Sequence, residues 1–498
     1  MAMVERVLVI GAGMAGLWTA MALAGPEREV TVLDRDPPPP AGGADAAFED
    51  WQRRGVGHLR HSHAFLARLR TLVRDRHPAL LEALMAEGVR ELGFEGGLPE
   101  SLKKGYVPAP IDRDLAILTS RRTTLELVMR LYAEGLANVA MRPQTFVKDL
   151  IIQPGAPPRV TGVTLEDGTE LAADIVVDAT GRTSQAYEQL AAAGAPVPES
   201  SEACGIIYFT RHYRLLEGQS EPPRTRNSAT GDLGFLKFGV FPGDNGCFSI
   251  TLCAPEVEEE LRKALVDPEV FDAACRQLPG LVPWIDPERA RPTSRVFGMG
   301  QLESRWRELA PQGKPAALGF FAVGDSLVRT NPLYGRGCSF AAVSAHLLLD
   351  ALSHSADPAA RLLHYRAGVE RELRPYYDVM RQADRSAIRR ARAALLPQAR
   401  PSLRGRLVKS FMEDGVAIAM RTDLDLMRAF LKGFHMLEHP QAWLKRPANL
   451  IKILRVWARG KARNADLYAP KPGPDRRPLF EALGLDVAAD EQRVRAAA

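Results

Sequence analysis

FAVGDSLVRTNPLYGRG, residues 321–337, is the stretch whose reading decides the fold. A short β-branched and aromatic run ends at Gly324-Asp325. Pro332 follows after six residues, then Gly335 and Gly337, then an alanine-rich apolar run with helical spacing. The pattern GD-x6-P-x2-G-x-G sets a carboxylate at a strand end and a glycine-rich helix N-terminus close behind it. Such a terminus presents free N–H groups and a partial positive charge. Together they suit a ligand with a polyhydroxyl chain and an electron-poor ring that becomes anionic on reduction.

Two further segments belong with it. VLVIGAGMAG, residues 7–16, places Gly11-x-Gly13-x-x-Gly16 after a strand and at the start of a helix. Asp34 ends the next β-branched run, at the distance expected of an acid that accepts hydrogen bonds from ribose hydroxyls. The glycines allow a tight turn, close approach to a pyrophosphate and close helix–strand packing. This motif alone does not separate NAD from FAD. DIVVDATGRTS, residues 174–184, is a strand ending in Asp178-Ala179-Thr180-Gly181, shaped to pass close to a dinucleotide. With the opening segment, the three point to FAD.

Bulk properties bound the rest. The 498 residues are 46% hydrophobic and 25% charged, ordinary for two or three globular domains. With 65 basic and 60 acidic residues interspersed, a net charge of +5 gives no nucleic-acid partner. Five scattered cysteines without a C-x-x-C predict free thiols in a reducing compartment. The apolar N-terminal run lacks a basic leader, and its glycines fit strand-turn-helix better than a signal segment. No other apolar run reaches the roughly 18 residues of a spanning helix. The expectation is a soluble cytoplasmic protein.

Along the chain, strands are predicted at 7–10 and 29–33, helices at 15–24 and 124–135, and a proline-rich loop at 36–46. Short strands alternate with turns over 139–177. From about 204 to 305 the pattern becomes antiparallel, with Gly243-Asp244-Asn245-Gly246 a hairpin turn and a helix-like stretch over 256–278. Beyond Phe340 the chain reads as helical. The expected domains are 1–200 and 306–352 for the nucleotide domain, 201–305 for an inserted substrate domain, 353–470 for a helical region and 471–498 for a surface tail with one short helix.

In order and spacing the three motifs resemble the FAD-dependent oxidoreductases of the p-hydroxybenzoate hydroxylase-like fold, the group A flavoprotein monooxygenases. The family spans aromatic hydroxylases, epoxidases, geranylgeranyl reductases and halogenases. The resemblance covers roughly residues 4–350. It implies an α/β fold: a Rossmann-like FAD-binding domain, an inserted antiparallel-sheet substrate domain and a helical C-terminal region. By resemblance Gly11, Gly13, Gly16 and Asp34 hold the ADP half. Asp325 binds the ribityl chain or pyrophosphate, and the backbone of Gly335, Gly337 and Cys338 sits near the flavin pyrimidine. Ala15, Arg35, Val147, Ala179, Gly181, Gly324 and Pro332 complete the implied cofactor set. GVGHLRHSHAF, residues 55–65, resembles a loop that returns to the FAD, with Arg60 and His61 as contacts; the alternative is a capping loop. His58, His61 and His63 lack an accompanying carboxylate or cysteine pattern, so no metal is expected. SRRTTLE, residues 120–126, places Arg122 in an R-x-x-[LF]-E pattern beside the FAD, with Arg121 as its competitor.

The implied activity is monooxygenation. Reduced flavin and oxygen form a C4a-hydroperoxide that epoxidises or hydroxylates an apolar olefinic, terpenoid, polyketide or aromatic molecule. No catalytic side chain is named, since the flavin carries the chemistry. Electrons come from NAD(P)H or a separate flavin reductase. Pro283-Trp284-Ile285-Asp286 does not match the W-x-W-x-I-P motif of tryptophan halogenases, which disfavours halogenation. Asp178-Ala179-Thr180-Gly181 departs from the DG motif of single-component hydroxylases and puts direct NADPH use in doubt. NPLYGRG is most similar to the epoxidase-like branch. The alternatives are a reductase of isoprenoid double bonds, a non-redox flavin-dependent cyclase or isomerase, and a flavin-binding protein without turnover. Ile206, Tyr208, Phe235, Phe238, Phe241, Phe248 and Ile250 are expected to be mostly core, with one sheet face walling the pocket. Leu424, Met427, Leu431 and Phe434, and again Leu450, Ile453, Leu454 and Trp457, recur at helical spacing. These two helices are candidates for a lid, a peripheral membrane contact or a dimer surface.

Overall fold

The computed structural model describes residues 4–395 and 402–487. The chain opens with β1 (Glu5–Ile10), α1 (Met14–Leu23) and β2 (Arg28–Leu33), and continues through α2 (Arg122–Glu134), β3 (Val139–Arg142) and β4 (Ile175–Asp178). β5 (Ile206–Leu215), β6 (Lys237–Pro242), β7 (Cys247–Pro255) and β8 (Phe297–Met299) follow, and β9 (Phe320–Ala322) returns to the first sheet. The remainder is helical: α3 (Gly337–His354), α4 (Pro358–Glu372), α5 (Arg374–Leu395), α6 (Leu403–Ser410), α7 (Leu424–Phe434) and α8 (Pro447–Ala458).

The first sheet is wholly parallel, in the order β9-β4-β1-β2-β3. Parallel sheets are covered on both faces, so their strands are apolar runs without alternation. β1 and β4 obey this, with the last four residues of β1 and all of β4 buried. α1 is buried almost all round, packed between the sheet and α3. This burial is why its sequence looks like a membrane or signal segment.

The second sheet is antiparallel, built on β6-β7-β5 with β8 pairing the far side of β5. The predicted hairpin turn joins β6 to β7, with Asn245 and Gly246 at positive φ. The expected helix over 256–278 is two, Glu259–Ala264 and Pro268–Arg276. Asp267 separates them: its carboxylate accepts from the backbone N–H of Glu269 (2.7 Å) and Val270, and Pro268 sits at the first helical position. Phe235, Phe248 and Ile250 are core residues behind this sheet. A small seam of Glu199–Ala203, Glu303–Arg307 and Val328–Arg329 joins the chain's exit from the nucleotide domain, its return, and the closing motif.

One expectation about the C-terminal part needs correction. The segment after 471 is no surface tail over its described length. Its helix Arg476–Ala482 buries Leu479 and Phe480 completely in the core behind the antiparallel sheet. The two amphipathic helices also differ from each other. Leu424, Met427 and Leu431 of α7 pack on Phe94, Leu98 and Leu102. In α8, Ile453 faces inward, whereas Leu450 and Leu454 face solvent. Among the described residues, no helix is long and apolar enough to cross a membrane.

Candidate functional site

A cavity of about 720 Å³ lies at the C-terminal ends of β1, β2 and β4 and extends to the face of β5, β6 and β7. The strand order reverses at β1, between β2 and β4, and the carboxyl ends of strands at such a switch point form the ligand crevice of open α/β sheets.

The glycine motif shapes one end. Gly11 has φ +102°, and a Cβ there would lie 2.8 Å from the carbonyl oxygen of Ala179. Backbones of the first and second motifs thus touch, and both Gly11 and Ala179 line the cavity. Gly16 stands back from the wall. A Cβ on it would meet the carbonyl oxygen of Gly11 at 1.8 Å, so its absence lets α1 seat on β1. Gly13, Ala15, Gly181 and Val147 line the same cavity. Asp178 organises its turn: its carboxylate accepts from the backbone N–H (2.9 Å) and hydroxyl (2.6 Å) of Thr180 and from Ser184.

Asp34 and Arg35 lie at the end of β2, on the cavity wall. Burial pushes the Asp34 carboxyl up, and the Arg53 guanidinium 3.2 Å away opposes it. Oδ2 of Asp34 is buried without a hydrogen bond. Arg53 also reaches Asp36 (3.2 Å) and Glu126 (3.3 Å), so one buried cation ties the end of β2 to α2.

Arg122, not Arg121, faces the cavity. Its guanidinium pairs with Glu126 one turn on, at 2.7 Å from Nε and 2.6 Å from Nη2, with both side chains buried. Arg121 is instead bound to Asp244 at the β6–β7 turn and to Asp45. Arg122 Nη1 lies 3.3 Å from Nε2 of His63, whose Nδ1 is 2.8 Å from the carbonyl oxygen of His61. Donation from Arg122 to Nε2 therefore sets the proton of His63 on Nδ1.

Residues 55–65 bridge the two sheets. His61 Nδ1 is 3.0 Å from Thr210 Oγ1, and the Ser62 hydroxyl sits between Ser249 (2.6 Å) and Thr251 (2.7 Å). His58, His61 and His63 line the cavity, but among the described residues no metal-type cluster of three His, Cys, Asp or Glu occurs. Burial lowers the His61 imidazole to about 4 and His63 to about 3, so both are neutral at physiological pH. Arg60 is not brought to the site. Its guanidinium turns away to the backbone carbonyls of Phe48 (2.7 Å) and Glu49 (3.1 Å).

The closing motif completes the cofactor end. Gly324, Asp325, Pro332, Gly335, Gly337 and Cys338 all line the cavity, the last two at the N-terminus of α3. The Asp325 carboxylate has no hydrogen bond or ion pair within the protein among the described residues. Burial raises its pKa, and Arg329 and Arg122 pull the other way. A cradle that a Cβ on Gly11 would fill, a carboxylate without a partner and a helix N-terminus together fit the pyrophosphate, ribityl chain and flavin ring of FAD.

Comparison with known proteins agrees. Residues 6–203 match the family model for an FAD binding domain. The protein Rv3254 of Mycobacterium tuberculosis is 28% identical over 375 residues, covering 70% of this chain and 73% of that protein. The chain superposes on PqsL, "a probable FAD-dependent monooxygenase" of Pseudomonas aeruginosa, with TM-score 0.55 and 17% identity over 78% of this chain and 97% of that one. A triple mutant of the flavin-dependent brominase Bmp2 gives TM-score 0.58 and 16% identity over 92% of this chain and 100% of that one. The chain has the p-hydroxybenzoate hydroxylase-like fold, with an FAD-binding domain over residues 6–203.

In this flavoprotein the far end of the cavity is walled by the second sheet. Tyr208, Phe238 and Phe241 supply aromatic surface, with Met299, Leu302 and Cys253 beside them. Phe434, from the end of α7, also reaches the cavity, so this helix covers part of the site. Sequence inspection misses Arg53 and Asp36, and it weighs His63 only as a metal ligand. Arg53 acts through partners in separate segments, and His63 is set by its contact with Arg122. It also misses Asp384 of α5, which accepts from the Asn331 amide (2.9 Å) and the Tyr334 hydroxyl (2.8 Å). Tyr208 donates to the other side of Asn331 at 2.6 Å, which links that carboxyl to two tyrosines of the cavity wall.

Proposed function

We propose that this flavoprotein is a monooxygenase acting on an apolar small molecule. The observation that carries this reading is the continuity of the cavity: the wall built by the three dinucleotide motifs runs without interruption into the aromatic face of β5–β7. An apolar molecule held against Tyr208, Phe238 and Phe241 lies beside the space that suits the flavin ring. Bound, reduced FAD supplies the activation of oxygen. The chain's own residues position and enclose. Gly11, Gly13 and the N-terminus of α1 receive the pyrophosphate, and Asp34 and Arg35 the adenosine ribose. Asp325 takes the ribityl hydroxyls, Arg122 the adjoining polar edge, and Gly335, Gly337 and Cys338 the pyrimidine ring. Apolar walls and neutral histidines keep water and fixed charge from the reacting end. Olefinic, terpenoid, polyketide and aromatic molecules all suit such a wall, and NAD(P)H or a separate flavin reductase is the source of electrons.

The test supplies reduced FAD continuously from a flavin reductase, with 18O-labelled oxygen gas and a panel of apolar alkenes and arenes. The expected product carries one 18O atom. A product that gains only two hydrogens marks a reductase, and an isomer without added atoms marks a cyclase; either overturns the proposal.

A further inference from the structure

α6 is a helix without a buried face. None of its eight residues is buried, although Leu403, Leu407 and Val408 are large and apolar, with Leu403 71% and Leu407 59% exposed. It runs without a break into Phe411–Val416 and Ala417–Met420, where burial begins. α8 packs on that junction. The Trp457 indole N–H donates to Ser410 Oγ at 3.1 Å, and the Trp457 and Phe411 rings meet edge to face, 5.5 Å between centroids. Leu407 and Leu454 each lie three residues before a member of the Ser410–Trp457 contact, one helical turn away. Leu450, Ile451 and Leu454 of α8 form a second exposed apolar stripe, while Ile453 and Asn449 take the inward side. Two helices that meet at this contact thus each offer solvent an apolar stripe, which a soluble protein rarely leaves uncovered.

Charge identifies the occupant. Residues 402–464 hold 13 Lys and Arg against 5 Asp and Glu, an excess of eight in a chain whose net charge is +5. Arg404 and Arg406 on α6, and Arg455, Arg459 and Arg463 on or after α8, form no ion pair among the described residues. On α8 the helical spacing sets Arg455 and Arg459 beside the stripe of Leu450, Ile451 and Leu454. Exposed leucines flanked by unpaired arginines are the pattern of a helix lying in an interface, apolar side chains in the acyl boundary and guanidinium groups at anionic headgroups. Since no described helix is long and apolar enough to cross a membrane, contact through this surface lies in one leaflet.

We propose that α6 and α8 form a docking surface for an anionic lipid bilayer. A second copy of the chain would need acidic residues to meet these arginines, and the surface itself offers few: Glu413 is paired with Lys409, and Asp414 is buried beneath Ser410 and Tyr468.

The test is flotation of the full-length FAD-loaded protein with vesicles of phosphatidylcholine alone, or with about a third phosphatidylglycerol, at low and high salt. Co-migration is expected with the anionic vesicles only, weakened roughly tenfold or more between 0.1 and 0.5 M salt as the headgroup attraction is screened. Leu407→Asp and Leu454→Asp, both at exposed positions, should each reduce it by about tenfold with unchanged thermal melting. Two milder variants, Leu403→Gln and Leu450→Gln, provide the same readout should an aspartate variant fold poorly. Absence of wild-type protein from the anionic vesicle fraction overturns the proposal, as does equal flotation of the folded variants. So does a lipid-free dimer, seen by sedimentation, that the same substitutions dissolve.

Discussion

A Cβ added to Gly324 would lie 2.7 Å from the Cβ of Ala15, which is closer than two carbons can approach. Gly324 opens the closing motif and Ala15 stands in the first turn of α1, so two motifs more than three hundred residues apart are packed against each other. Gly324 also has φ +59°, a conformation that costs an L-residue energy. Gly324→Val should therefore lower stability by about 2–4 kcal/mol and displace α1 from the closing loop. Thermal melting and the FAD-to-protein ratio after purification report the two effects, and an unaltered ratio would contradict the placement of the pyrophosphate at the N-terminus of α1.

Asp325 separates binding from folding. Its carboxylate has no protein partner, so Asp325→Ala should leave the melting temperature of the apoprotein within about a degree of wild type. FAD affinity, measured by fluorescence titration, should fall by about tenfold or more, the loss of one or two charge-assisted hydrogen bonds. Full retention of FAD would remove Asp325 from the site.

Arg122 and Glu126 form a buried pair that can be dissected. Arg122→Met leaves Glu126, which is fully buried, with Arg53 alone, at a cost of about 3 kcal/mol. Adding Glu126→Gln should recover most of that stability in denaturant melts without recovering FAD affinity. Recovery of both together would assign Arg122 to the scaffold rather than the cofactor.

Asp384 carries a pH signature. Burial holds its carboxyl at about 6 against an ordinary 3.8. The folded chain keeps this proton where the unfolded chain releases it, so its contribution to stability falls as pH rises from 3.8 to 6 and stays lost above. Asp384→Asn keeps an acceptor for Tyr334 and removes the charge. Its melting temperature relative to wild type should rise by a few degrees between roughly pH 4 and pH 7. A difference that does not change with pH would mean that Asp384 does not titrate in this window.

Residues that act through their own backbone or neighbouring positions were legible in the sequence. Gly11, Asp34, Asp178-Ala179-Thr180-Gly181 and Gly324-Asp325 each belong to a strand end whose turn is encoded within a few residues, and the parallel sheet follows from them. The break at Asp267-Pro268 was equally local, an N-cap followed by proline, though it was expected as one helix-like stretch. Arg53 was not legible because its partners Asp34, Asp36 and Glu126 are brought together only by the tertiary fold. Arg60 belongs to a loop whose histidines line the cavity, but the carbonyls of Phe48 and Glu49 capture its own guanidinium. Periodicity marked α8 as amphipathic but could not divide its apolar residues between the core and solvent, since that depends on where the 411–416 segment crosses it.

Oxygen reactivity bears most directly on the central claim. The FAD-loaded protein is reduced without oxygen, mixed with oxygenated buffer, and its flavin spectrum followed with and without apolar alkenes. A monooxygenase returns to the oxidised spectrum in two resolved phases, with less peroxide released when a substrate is present. Return in a single phase with one peroxide per flavin, whatever the substrate, would contradict it.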